Sequence, residues 1–293
     1  MKAQKWIVAA LASALALGAL GLSGCGGQST TSAPSTKTEL TGSINVSGSD
    51  TMVNLAQAWA EAFGTENAGV MVSVKGGGSG VGIAALINKT VDFADSSREI
   101  KSEETSAAKA GGVDPVETEV AKDGLVVIVN KANGVTAITK EQLGKVYAGE
   151  IVNWKDLGGA DAPIVLLGRD SSSGTYSFVK DEVLGKLPNK PEYAKSMLNL
   201  QSTQAIVDEV AKNANGIGYI GLGYENASIK PINVDGTTAS VATVLDGTYA
   251  LSRGLFMYSN GEPTAEKKAY LDWILSAPGQ AIVKTQGFVP LAK

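Results

Sequence analysis

Four places along this chain share one layout. A short β-branched run ends, a cluster of glycine, serine and threonine follows, and in most cases a helix-forming pattern begins. The clusters are "SGSDTM" (residues 47–52), "GGGSGVG" (76–82), "DSSRE" (95–99) and "RDSSSGT" (169–175). Runs of period two alternating with helical stripes predict an α/β sheet with parallel strands in its first part. In an open sheet of that kind the clusters all lie at the carboxyl ends of strands, where ligands bind. The first N–H groups of a helix have no internal partner, and the helix dipole favours negative charge there. Glycines allow close backbone approach and hydroxyls add donors, so four such junctions together point to an oxyanion site.

The residues between the clusters fill in the α/β rhythm. Leu55, Ala58, Trp59, Ala62 and Phe63 form one helical stripe starting near Thr51. Thr139 and Gln142 have the spacing of a capping box and open the helix "KEQLGKVYAG". Ile206, Val207, Val210 and Ala211 give another stripe, and the chain ends in helices around Tyr270, Trp273 and Ile282. Two long extended segments, "VETEVAKDGLVVIVN" and "YALSRGLFMYS", flank the middle of the chain. They suit two crossings between lobes.

The N-terminal segment has a different character. Lys2 and Lys5 precede an apolar run over residues 6–22 that ends in "LSGC". A basic start, an apolar stretch and small residues before a cut site make a secretory signal over residues 1–24. The single cysteine of the chain, Cys25, falls at the cut, which resembles a bacterial lipobox and implies lipid on its sulfur. Residues 25–41 are rich in Ser, Thr and Gly and read as a tether. Without Lys2 and Lys5, the 25 basic residues fall by two against 29 acidic ones, leaving a net charge of −6. That charge argues against nucleic acid as a partner. Any anion site must therefore work through local donors rather than the overall field.

Residue types also limit the chemistry. There is no histidine, so a Ser–His–Asp triad is impossible and the commonest metal ligand is missing. Ser177 and Lys180 have Ser-x-x-Lys spacing, but within a helix where the lysine is solvated. No catalytic residue, metal or cofactor is expected, and hydrolase chemistry is the least favoured reading. Arg98 and Arg169 each stand inside a serine cluster, and an arginine fork suits two oxygens of a tetrahedral anion.

In order, "SGSDTM", "GGGSGVGIAALIN", "VDFADSSREI", "ITKEQLGKVYAGEIVNWKDLGG" and "GRDSSSGTYSF" resemble the substrate-binding proteins of bacterial phosphate-specific ABC transporters, the PstS family. The resemblance spans residues 42–293. It implies an α/β two-lobe periplasmic-binding-protein fold of type II, with mixed sheets flanked by helices and two hinge crossings. Lobe I would comprise residues 42–121 plus 249–293, and lobe II residues 122–248. The implied function is binding of inorganic phosphate between the lobes and delivery to a membrane permease, by an exported, lipid-anchored monomer. Rivals are the same fold holding sulfate, molybdate or tungstate, and a sensor lipoprotein that feeds no transporter.

Carried over by position, the resemblance assigns anion contacts to Thr51 and the N–H of Met52, to Ser79, and to Arg169, Ser173, Gly174 and Thr175. The chain departs from well-known members at two places. Ser97 stands where they have an aspartate that accepts the phosphate proton, and Ser171 where they have an aspartate two residues after the arginine. Ser97 and Arg98 are included in the expected site. Asp50, balanced by Arg98, is the expected substitute proton acceptor. Such a group separates phosphate from the unprotonated sulfate, because a site built around a hydrogen bond rejects a ligand that cannot make it.

Overall fold

The computed structural model describes residues 40–291. The expected signal segment, Cys25 and the tether up to residue 39 lie outside them. Among the described residues no helix is long and apolar enough to cross a membrane.

The strands are β1 Gly42–Gly48, β2 Val70–Lys75, β3 Phe93–Ser96, β4 Pro115–Val129, β5 Ala137–Ile138, β6 Val165–Arg169, β7 Leu198–Leu200, β8 Gly216–Gly221, β9 Lys230–Val234 and β10 Ser252–Asn260. The helices are α1 Val53–Glu66, α2 Ser79–Ile87, α3 Ser102–Ala110, α4 Lys140–Ala148, α5 Gly174–Glu182, α6 Thr203–Lys212, α7 Val241–Leu245, α8 Ala265–Leu275 and α9 Ala277–Thr285. Sheet order is β2-β1-β3-β10-β4-β8-β6-β7, with β9 beside β4 and β5 beside β9.

The parallel expectation holds for β1, β2 and β3, which pair in parallel as a βαβαβ unit. It holds again for β6 with β7 and β8. The crossing strands run the other way. β10 is antiparallel to both β3 and β4, and β4 is antiparallel to β8 and β9. These antiparallel joins make the sheet mixed. β4 pairs with β10 over Pro115–Gly124, then with β8 from Leu125 onward.

Local sequence explains the elements that carry the anion loops. α1 buries Leu55, Ala56, Trp59 and Phe63 along one face. Burying such side chains contributes roughly 1.5–3 kcal/mol each, and the Trp59 indole N–H donates to the Gly279 carbonyl at 2.9 Å. The helix starts at Val53 rather than Thr51, because Ser49 to Met52 form a turn closed by Met52 N–H to the Ser49 carbonyl at 3.1 Å. α2 presses directly on β1: a Cβ on Gly82 would lie 2.5 Å from Gly48 Cα, so only glycine allows this approach. That contact sets the height of Ser79, the first residue of α2. α4 has the expected capping box, with Gln142 N–H on the Thr139 hydroxyl at 3.0 Å and Thr139 N–H on Gln142 Oε1 at 2.9 Å. α6 lays Ile206, Val207 and Val210 on β8.

Candidate functional site

The four clusters leave the carboxyl ends of β1, β2, β3 and β6 and converge. Ser49 N–H donates to the Asp95 carbonyl at 2.8 Å, and Gly78 N–H to the Gly48 carbonyl at 2.8 Å, so the first three loops brace one another. Ser97 N–H donates to the Ser79 hydroxyl at 3.1 Å, and the two hydroxyls lie 3.4 Å apart. From the opposite side come Asp170 to Thr175. Ser173 caps α5 by accepting Tyr176 N–H at 3.3 Å. Among the described residues, the N–H groups of Gly174, Thr175 and Ser79 have no acceptor.

The two halves meet closely. The Thr51 and Thr175 hydroxyl oxygens are 2.8 Å apart. Gly80 N–H donates to the Ser172 carbonyl at 2.9 Å, and the Ser172 hydroxyl donates to the Gly77 carbonyl at 3.0 Å. Gly78 has φ +106, and a Cβ there would sit 2.7 Å from the Ser172 carbonyl oxygen. Gly174 is equally constrained: its Cβ would lie 2.6 Å from Ser97 Oγ and closer still to Ser79 Oγ. Thr51, Ser79, Ser97, Gly174 and Thr175 thus share one buried point.

The charged residues are arranged differently. Arg169 is buried, and its guanidinium donates to the Leu200 carbonyl at 3.2 Å, the Thr203 hydroxyl at 2.8 Å and the Gln201 carbonyl at 2.8 Å. Burial lowers its pKa, with Asp50 the foremost opposing influence. Asp50 Oδ2 lies 3.6 Å from Arg169 Nη1 and accepts Thr203 N–H, the first of α6, at 2.6 Å. This is a carboxylate at a helix N-terminus, where the dipole favours it. Tyr224 OH donates to the Asp50 carbonyl at 2.8 Å.

The expected balance of Asp50 by Arg98 is not found. Arg98 pairs instead with Glu104 in the first turn of α3, with nitrogen–oxygen distances of 2.8 and 2.6 Å. Burial pushes the Glu104 carboxyl up, but the Arg98 guanidinium and the Lys101 N–H outweigh it and hold it below its ordinary value. The Met52 N–H expected at the anion is spent on the Ser49 carbonyl at 3.1 Å, because the chain makes a turn before α1, and the Met52 side chain is in the core.

Two residues escaped the sequence reading. Arg253 of β10 donates from Nη1 to the Thr175 hydroxyl at 3.1 Å and to the Ser97 carbonyl at 3.3 Å. Its Nε and Nη2 hold Asp123 Oδ2 at 3.0 and 2.8 Å. Asp123 is fully buried, and its Oδ1 accepts Leu222 N–H at 2.9 Å. Burial raises the Asp123 pKa, and Arg253 pulls against that rise. A signal was present: each is the charged residue next to a glycine inside one of the two extended crossings, "AKDGLVV" and "LSRGLF".

The arrangement gathers hydroxyls and amide donors at one buried point, and the carboxylate that touches a serine hydroxyl there, Asp170 on Ser172, lies within the same turn. It suits holding an anion rather than attacking a bond.

Known proteins agree with that chemistry. A family model described as a PBP superfamily domain matches residues 30–278. A phosphate-binding protein PstS of Borreliella burgdorferi is 32% identical over 254 residues, covering 84% of this chain and 89% of that protein. The phosphate-binding protein PstS of Staphylococcus aureus is 34% identical over 281 residues, covering 91% and 83%. Among solved structures, one from Clostridium perfringens with bound phosphate, described as a phosphate ABC transporter substrate-binding protein, superposes with a TM-score of 0.79. It is 32% identical, over 86% of this chain and all of that one.

Proposed function

The chain belongs to the PstS family of phosphate-binding proteins within the PBP superfamily, and on that premise we propose how it holds its ligand. It binds inorganic phosphate in the cleft between two lobes and delivers it to an ABC transporter for import; it is not an enzyme. One observation carries the assignment of the site: two buried hydroxyl pairs, Thr51 with Thr175 at 2.8 Å and Ser79 with Ser97 at 3.4 Å, flank Gly174, whose Cβ would meet both serine hydroxyls. Phosphate exchanges those hydroxyl–hydroxyl contacts for hydroxyl–oxyanion ones, which are about twice as strong. The free N–H groups of Gly174, Thr175 and Ser79 add donors at two helix N-termini, and the Ser173 cap holds the first of these in place.

Lobe I comprises residues 42–121 plus 249–293 and lobe II residues 122–248, and phosphate stabilises the closed form by touching both. Arg169 offsets anion charge from lobe II. Arg98 holds the Ser97 turn through Glu104 rather than touching the ligand. Asp50, beside Arg169, is the carboxylate that reads the phosphate proton. The protein is exported and works as a monomer tethered by lipid on Cys25; Cys25→Ser should release it from the membrane.

Calorimetry with phosphate, sulfate and molybdate on the chain from about residue 38 tests this reading. Saturable binding at micromolar phosphate, with weak sulfate binding, is expected. Absence of phosphate binding overturns the site. An Asp50→Asn variant that still rejects sulfate removes Asp50 from the proton-reading role.

A further inference from the structure

Thr175 is the hydroxyl through which the second lobe reaches the centre of the site, and it has two side-chain neighbours, Thr51 at 2.8 Å and Arg253 at 3.1 Å. A guanidinium has donors and no acceptor. The Thr175 oxygen must therefore accept from Arg253, and its own proton must point elsewhere. The remaining neighbour is Thr51, on the side where the other hydroxyls converge. Arg253 itself is immobilised. It stands opposite Asp123 in the β10–β4 register, and two of its nitrogens hold one carboxylate oxygen. The other carboxylate oxygen is fixed by Leu222 N–H. The Phe178 ring lies 5.3 Å from its Cζ, closing one face.

We infer that Arg253, anchored by Asp123, is a positioning residue for anion recognition: it turns the Thr175 hydroxyl into a fixed donor toward the ligand. An unconstrained hydroxyl can donate or accept, and an orientation that aims a lone pair at an oxyanion, which only accepts, wastes the contact. Arg253 removes that choice. Because Nη1 also holds the Ser97 carbonyl, the same nitrogen joins the lobe I loop to the lobe II helix. Arg253 rides on the crossing strand while Thr175 rides on α5, so closure is what brings the donor into register.

The inference rests on the hydroxyl cluster being the phosphate site, and the test separates the two. Phosphate affinity is measured for Arg253→Lys, Thr175→Val and the double variant. Thr175→Val is expected to weaken binding about tenfold or more, and Arg253→Lys likewise, since a lysine keeps the charge but cannot hold Asp123 and Thr175 together. The double variant is expected within about threefold of Thr175→Val, the non-additivity of residues acting through one another. Additive losses, or native affinity in Arg253→Lys, overturn the inference. Native affinity in Thr175→Val overturns the site assignment itself, and the inference with it. Where Arg253→Lys does not fold, the neutral pair Arg253→Gln with Asp123→Asn replaces it, checked by thermal unfolding. A tenfold loss in that folded pair supports the inference, and native affinity refutes it.

Discussion

Two carboxylates lie wholly buried in the sheet, Asp95 at the end of β3 and Asp123 in β4. Asp123 faces Arg253 across the ladder and has both oxygens in hydrogen bonds. Asp95 has no cation beside it, and its Oδ1 has no partner among the described residues. The Ser49 hydroxyl and Tyr270 OH are unpartnered in the same way. Burial alone pushes the Asp95 pKa up to about 8. Burial pushes both carboxyls up, but only Asp123 has an arginine pulling it back toward the charged form. Burial does not decide whether a carboxylate stays charged; a partner placed by strand register does. The anion loops gain from both arrangements, since a bare negative charge behind them would repel phosphate.

The sharpest way to break this contrast is to remove the ion from its pair. Asp123→Ala strands a buried guanidinium and should cost about 3–5 kcal/mol in denaturant unfolding; a loss under 1 kcal/mol would mean that Arg253 finds water instead. Next comes pH. The folded pKa of Asp95 lies above the unfolded value of 3.8, so the native state keeps a proton that the unfolded chain releases. That contribution is fully present below about pH 4 and is lost as pH rises toward 8. Comparing unfolding at pH 5 and pH 8, Asp95→Asn should avoid a loss of a few kcal/mol suffered by the native chain, and equal pH profiles would show that Asp95 is charged in the fold.

A third substitution leaves both carboxylates alone and crowds the serine hydroxyls instead. Gly174→Ala sets a methyl against the Ser79 and Ser97 hydroxyls. Overpacking of about 1–3 kcal/mol would weaken phosphate binding roughly 10–100-fold by calorimetry, with the unfolding midpoint little changed. The smallest effect on binding is expected at Arg98. Arg98→Gln loses its two-pronged, largely buried pair with Glu104, which lowers the unfolding midpoint, and should leave phosphate affinity within about threefold. A larger loss of affinity would put Arg98 in the site and erase its difference from Arg253.

Arg98 and Arg253 also mark the limit of what the sequence reveals. Local pattern was enough for the four loops, the α1 stripe and the Thr139–Gln142 box, because each is set by residues a few positions apart. It also drew Arg98 into the site, since that arginine sits in a serine cluster. What turns Arg98 away is Glu104, six residues on, in a helix whose polar sequence gave no stripe to read. What brings Arg253 in is its pairing with Asp123, 130 positions away. Likewise β9 and the short α7 carry too few residues for periodicity to speak. Contacts decided by register between distant strands leave no local trace.

The partner change within β4 has a mechanical consequence. Fifteen residues run from Pro115 to Val129 without a break, paired with β10 before Gly124 and with β8 after it. On the proposed division into lobes, the joint is a hydrogen-bonded ribbon, and swinging the lobes would wring it rather than bend a slack linker. The β4–β10 register slips between Leu255 and Phe256, where Val120 of β4 is the extra residue, and added twist concentrates there. Amide protons across the joint should exchange slowly even while the lobes move. The resting gape of the empty protein then becomes a property of strand torsion, adjustable at the slip without altering any group that touches the ion.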